Sequence, residues 1–291
     1  MNDNERWVRT YGTAADGPFQ VSITDAVPGW AHTSLRVAAL APFERVELDT
    51  GDSEVIVVPL RGGVDVTVAD HAGQHHKAPL AGRESVFAGP TDVAYVPRGA
   101  ALTVTAGERP AKIALCGAKA AKLTEPLPFR HLAAADVPVE HRGAGPAARQ
   151  VRNFGIPQVL DADSIIACEV ITPAGNWSSY PPHKHDEERA GLETELEEIY
   201  YFEVQARPDA PGGADPVGYQ RVYGTAERPI DVLAEVRTGD VVLVPYGWHG
   251  PAMAPPGYDL YYLNVMAGPG ATRAWLICDD PAHAWIRGGL R

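Results

Sequence analysis

The chain has 291 residues, 45% of them hydrophobic and 21% charged, enough for one large domain or for two of ordinary size, each with a core of its own. Its formal net charge of −12 is spread along the sequence with no run of Lys or Arg, which disfavours a nucleic-acid partner. No segment approaches the roughly 20 apolar residues of a membrane-spanning helix, and the opening MNDNERWVRT is too polar for a signal peptide, so no membrane partner and a cytoplasmic location are expected.

With 29 glycines and 26 prolines the composition suits many short strands joined by tight turns. In chain order the β-rich runs are SEVIVVPL, GVDVTVAD, DVAYVPRG, ALTVTA and AKIALCG, then SIIACEVIT, EEIYYFEV, YQRVYG, DVVLVPYG and DLYYLNVMA. Helical periodicity is confined to ERAGLETELEE (188–198) and to a tail around Thr272–Trp285, which disfavours an α/β fold with crossover helices. Cys116, Cys168 and Cys278 are odd in number, widely spaced and embedded in apolar segments, as reduced core thiols are. His75 and His76, in AGQHHKAP, fall between polar turn residues and are expected in a solvated loop.

A partial repeat organises the chain. Asp92-Val-Ala-Tyr-Val-Pro97-Arg98-Gly99-Ala100-Ala101 has the same strand-then-Pro-x-Gly form as Asp240-Val-Val-Leu-Val-Pro245-Tyr246-Gly247-Trp248-His249, and a Glu-bearing strand precedes each, with Glu54 in one and Glu197-Glu198 in the other. Two related β-domains are therefore expected, residues 1–140 and 141–291. Their boundary falls in the Pro-, Ala- and Gly-rich stretch 123–150, which shows no strand alternation.

The sharpest chemical signal is Pro181-Pro182-His183-Lys184-His185. On an extended strand, residues i and i+2 share a face, so His183 and His185 can point into a barrel while Lys184 points away. Two imidazoles, joined by a carboxylate and a third imidazole from neighbouring strands, make a ligand set for one divalent metal ion with room left for substrate. His249, after the Pro-x-Gly turn, is the third imidazole, and Glu198 or its neighbour Glu197 is the carboxylate.

This arrangement resembles the cupin superfamily, whose first motif is H-x-H, a few residues, E, six residues, G, and whose second is G, five residues, P-x-G, two residues, H. Gly239 stands five residues before Pro245, as in the second motif. The sequence departs from the pattern in three places: the insertion DEERAGLETEL after His185, Gln205 where the first motif has Gly, and a His249 one residue closer to Gly247 than usual. Counting back from the Gly position selects Glu198 over Glu197. In the first half, Ala100 and Ala101 stand where a ligand His would be and no H-x-H precedes Glu54, so metal ligands are expected in the second barrel alone.

More narrowly, SSYPPHKHD, LEEIYYF, YQRVYG, GDVVLVPYGWH, GYDLYYLNVMAGP and DPAHAW resemble the 5-deoxy-glucuronate isomerase family of bacterial inositol catabolism, which is related to the 5-keto-4-deoxyuronate isomerases of pectin breakdown. The resemblance implies an all-β bicupin and a small sugar-acid substrate. It also implies an aldose-to-ketose conversion of 5-deoxy-glucuronate to 2-deoxy-5-keto-gluconate at a divalent metal held by His183, His185, Glu198 and His249. Zinc or manganese are the first expectations for that metal, with iron, cobalt or nickel as alternatives. Candidate proton carriers are Tyr200, Glu197 and Tyr223. Arg221 is the expected partner of the substrate carboxylate, and a homo-oligomer is expected. The competing readings are the keto-deoxyuronate isomerase, a bicupin dioxygenase using the same ligands, and a non-catalytic sugar-binding cupin.

Overall fold

The computed structural model describes residues 2–289, and nearly every ordered element in it is a strand. The α-helices Asp3–Trp7 and Ile286–Gly289 are about a turn each, so the all-β expectation holds. In the first half one long strand, Ser53–Ala69, serves two sheets. Its early part pairs with Val93–Val96 and Ala111–Lys119, and its later part with His75–Arg83 and Ala101–Ala106. The sequence runs SEVIVVPL and GVDVTVAD are thus one element, bent where the register shifts around Pro59–Val64. Gly62 sits in that bend at φ +72°, and a Cβ there would lie 2.6 Å from the Pro110 carbonyl oxygen, so only glycine fits.

The second half is built from a seven-stranded sheet and a six-stranded sheet. Glu197–Ala206 lies near the centre of the larger sheet, between Val241–Val244 and Tyr258–Ala267. The smaller sheet contains Gly218–Tyr223, Trp248–Met253 and the two-residue strand His183–Lys184. At the edge of the larger sheet, Val8–Arg9 pairs with Val241–Val242, so the beginning of the described chain contributes to the sheet that carries Glu198.

Strand alternation assigns two jobs to each central strand. In Ser53–Ala69, Val55 and Val57 face an apolar interior with Val66, Val96, Leu102 and Val104, whereas Ile56 and Val58 face the other half. Those two join Ile199, Tyr201, Leu263 and Val265 in a second core that is continuous across the halves. Two buried glutamates seal this junction reciprocally. Glu54, beside Ile56, accepts the backbone N–H groups of Asp163, Ser164 and Ile165 at 2.6–2.8 Å and the Tyr95 hydroxyl at 2.6 Å. Glu197, beside Ile199, accepts the N–H groups of Ala31, His32 and Thr33 at 2.6–3.0 Å and the Thr33 hydroxyl at 2.9 Å. Each half therefore anchors a loop of the other through a carboxylate at the matching strand position. A third polar tie is Arg83, whose guanidinium donates to both oxygens of buried Glu169, which also accepts from Tyr261 at 2.7 Å.

Several local expectations change. Residues 188–196 form no helix: Arg189 and Glu193 are bridged in an open loop, and the Glu193 carboxylate turns inward to accept the N–H of Asp186. The tail forms a strand, Cys278–Asp279, and only then the turn of helix at Ile286. His75 and His76 open the strand His75–Arg83 instead of lying in a loop, with His76 bonded to Asp70 at 2.8 Å and stacked on Phe129. Cys116 and Cys168 are core thiols, but Cys278 is only partly buried, beside Arg189. The boundary stretch 123–150, which shows no strand alternation, nevertheless holds the strands Arg130–Leu132 and Val139–Arg142 and the start of Arg149–Gly155. Among the described residues no helix is long and apolar enough to cross a membrane.

Candidate active site

The Pro-x-Gly turn and the H-x-H strand meet in register. His183 is directly opposite His249, and Val222 opposite His249 on its other side, so all three share the inner face of the smaller sheet. Gly247, at φ +91°, makes the tight entry to that strand, and a Cβ there would approach the Tyr223 carbonyl oxygen to 2.8 Å. Across the barrel, alternation along Glu197–Ala206 points Glu198, Tyr200 and Phe202 inward and turns Glu197 towards the first half.

One ring nitrogen from each of His183, His185 and His249 falls within 4.8 Å of the others. Each Nδ1 faces a backbone carbonyl oxygen: that of Pro181 for His183, of Leu196 for His185 and of Gly247 for His249, at 3.1–3.4 Å. A carbonyl can only accept, so Nδ1 carries the proton and each Nε2 presents its lone pair to the centre. Glu198 Oε2 lies 3.1 Å from the Nε2 atoms of both His185 and His249. The Nε2 of His249 is buried without a hydrogen-bond partner. Acceptors so close together need protons or a shared cation between them, and three imidazoles with one carboxylate fit a divalent metal ion.

The electrostatics of Glu198 and His183 fit a cation site. Burial works against ionisation of Glu198, but its contacts with His185 and His249 outweigh this and hold its pKa at about 2. Burial is also the largest influence on His183 and, with the neighbouring imidazoles, pushes it well below the usual histidine range, which keeps its lone pair free. His185 moves up despite burial because Glu198 lies against it.

The insertion after His185 braces this set. Asp186 is buried and accepts the Gly247 N–H at 2.8 Å, while the Gly247 carbonyl oxygen faces His249 Nδ1, so one residue ties the H-x-H strand to the third imidazole. Lys184 points away, as alternation requires, and bonds to Asp186 and Glu193 at 2.5 and 2.9 Å.

A cavity of about 330 Å³ opens from this centre, with His183, Glu198, Tyr200, Tyr262 and Asn264 among its lining. A larger hollow, of about 1100 Å³, lies in the first half along Gly62–Asp65 and Pro79–Ala81, away from the imidazoles. The sequence-predicted residues divide accordingly. Tyr200 lies on the wall beside His249, its hydroxyl 3.2 Å from Ser179 Oγ. Glu197 is engaged by four donors at the junction of the halves. Tyr223 is on the outer face of its strand and donates to Asp280 at 2.5 Å. Arg221, on the same outer face, is paired with Asp231. The sequence reading missed Glu140, Arg142 and Arg149, from the stretch taken as a boundary, and Trp275, Ile277 and Arg287, from the tail. All six line the cavity.

Comparison with known proteins agrees with this geometry. A family model described as the KduI/IolB family matches residues 7–286. A protein of Geobacillus kaustophilus named 5-deoxy-glucuronate isomerase is 40% identical over 266 residues, covering 91% of this chain and 90% of its own. Among solved structures, an IolB-like protein of Salmonella typhimurium superposes with a TM-score of 0.83 at 36% identity, covering 96% of this chain and 98% of that one. An oxalate decarboxylase of Lactobacillus farciminis, in a formate complex, superposes with a TM-score of 0.65 at 12% identity over 94% of this chain and 88% of its own, a likeness of fold alone. The bicupin architecture read from the sequence is thereby supported.

Proposed function

The chain belongs to the KduI/IolB family, and from that membership and the geometry of its second half we infer that it is an isomerase converting 5-deoxy-glucuronate to 2-deoxy-5-keto-gluconate. The carrying observation is the convergence of His183, His185 and His249 beside Glu198 at one end of a substrate-sized cavity. These four residues would hold one divalent ion, with zinc or manganese as the leading identities. The bound ion would supply Lewis acidity where negative charge develops as a proton leaves the carbon next to the aldehyde.

The chain's own residues set the rest. Carbonyl oxygens of Pro181, Leu196 and Gly247 hold the imidazoles in one tautomer. Tyr200 is kept protonated, since burial first and the Glu198 charge second push its hydroxyl well above the ordinary phenol range. It is therefore a hydrogen-bond donor on the cavity wall, and in this reading it donates to a substrate oxygen. Trp275 and Ile277 of the tail add apolar surface to the cavity lining. The same reading includes division into residues 1–140 and 141–291, a cytoplasmic setting and association into a homo-oligomer.

The test is to incubate the metal-loaded protein with 5-deoxy-glucuronate without oxygen and follow the ketose product by NMR. Turnover is expected, and would exclude an oxygen-dependent reaction. No conversion with full metal occupancy overturns the proposal.

A further inference from the structure

In the substrate of the reaction proposed above, the aldehyde and the carboxylate sit at opposite ends of the carbon chain, so a site that binds the aldehyde end at the imidazoles needs a cationic feature elsewhere in the same cavity. The cavity offers one away from Arg221. Arg142 and Arg149 are directly opposite each other in the ladder between Val139–Arg142 and Arg149–Gly155, and both face the cavity. Like charges in that relation repel, and nothing in the fold gains from the pairing unless an anion joins them. Arg142 is neutralised by Glu140 at 2.7 Å, and Arg287, arriving from the tail, by Asp279. Arg149 has no carboxylate partner among the described residues. Its one hydrogen bond, 3.1 Å to the Ala147 carbonyl oxygen, holds Nη1 in place and leaves the rest of the guanidinium uncommitted.

Two further donors point to the same space. Asn264 Nδ2 and Trp275 Nε1 are buried, line this cavity and have no hydrogen-bond partner. An unpartnered buried donor is costly, and two of them beside an unpaired guanidinium make a surface that acceptor oxygens would satisfy. We propose that Arg149, flanked by Arg142 and Arg287, receives the substrate carboxylate and that Asn264 and Trp275 donate to oxygens of the same bound molecule. This assignment rests on the isomerase reading for the substrate's identity, but on the ladder register and the unpartnered donors for the anion. Burial, the largest influence on Arg149, lowers its pKa; Arg142 and Arg287 push the same way, while Tyr262 and Glu140 oppose them. A bound carboxylate would offset the net lowering through charge-assisted hydrogen bonds.

The test compares wild type with Arg149→Gln and Arg149→Lys, after metal content and thermal midpoint are shown to be unchanged. Binding of 2-deoxy-5-keto-gluconate is measured by calorimetry, and kcat/KM for 5-deoxy-glucuronate is set against that for 5-deoxy-glucose, which lacks the carboxylate. Loss of a charge-assisted pair predicts binding about fifty-fold weaker in Arg149→Gln, a similar fall in the preference for the acid, and partial recovery in Arg149→Lys. Equal binding and an unchanged preference in Arg149→Gln overturn the inference and leave the isomerase reading standing. Wild type that binds the acid through Arg149 yet converts nothing overturns the isomerase reading instead and leaves the anion site in place.

Discussion

The Nδ1 of each imidazole of the metal set is held by a backbone carbonyl oxygen, so the site is sensitive to shifts of backbone. Replacing His183 or His249 by Ala is expected to abolish stoichiometric metal binding and to lower turnover by about a thousand-fold or more while the fold survives, checked by elemental analysis beside circular dichroism. Asp186 is the subtler case. Its carboxylate holds the Gly247 N–H, and through that peptide the orientation of His249. Asp186→Asn should weaken metal binding by about ten-fold or more without removing a ligand, read as a shift in a chelator-competition titration. An unchanged titration would make Asp186 a structural residue only.

The loop from Asp186 to Leu196 behaves as an element although it has no regular structure. Asp186 and Glu193 are held below their ordinary values of 3.8 and 4.5: burial opposes ionisation, but bonds from Lys184, joined by Gly247 and Arg228 at Asp186 and by Arg189 at Glu193, outweigh it. Because the unfolded chain takes up these protons at higher pH than the folded one, the stability they confer is present above about 4.5 and is lost as pH falls through the depressed folded values. Thermal midpoints should therefore drop on acidification below that point, and Lys184→Met should make the drop shallower. A profile identical in the variant would dismiss the network.

At this scale, too, the difference between what the sequence reveals and what it hides has physical causes. Strands such as DVVLVPYG and DLYYLNVMA were legible because apolar residues fill them and glycine or proline ends them. RQVRNFG was not, because one of its faces meets the cavity at Arg149 and the other a buried ion pair at Arg152, so arginines stand where apolar residues would advertise a strand. The metal ligands keep fixed spacings along the chain and could be found there. The arginines at the cavity come from a presumed boundary and from the tail, and only the ladder register brings them together.

At the scale of the whole molecule, the two halves are joined by a continuous apolar core and by a reciprocal pair of carboxylates. Glu54 and Glu197 occupy corresponding positions in their strands, and each closes four donors of the junction. The residue in the first half that corresponds to Glu198 is Val55, whose side chain faces an apolar interior. Of the two adjacent carboxylates that the motif left in competition, one is thus placed at the junction and the other at the imidazoles. Either Glu54→Ala or Glu197→Ala strands buried N–H groups, and each should cost about 3 kcal/mol in urea unfolding. The Glu197→Ala protein should keep its metal stoichiometry, and loss of the metal with wild-type stability would reverse the assignment.

The pairing of Val8–Arg9 with Val241–Val242 carries a consequence for synthesis. The earlier of the two strands must wait for a partner made much later in synthesis, so the first barrel can form while the sheet of the second still lacks an edge. Until the late strand emerges, the early one is an unpaired ribbon available to the wrong neighbour. A bulky fusion placed just ahead of it would be felt first in the half of the protein farthest along the chain.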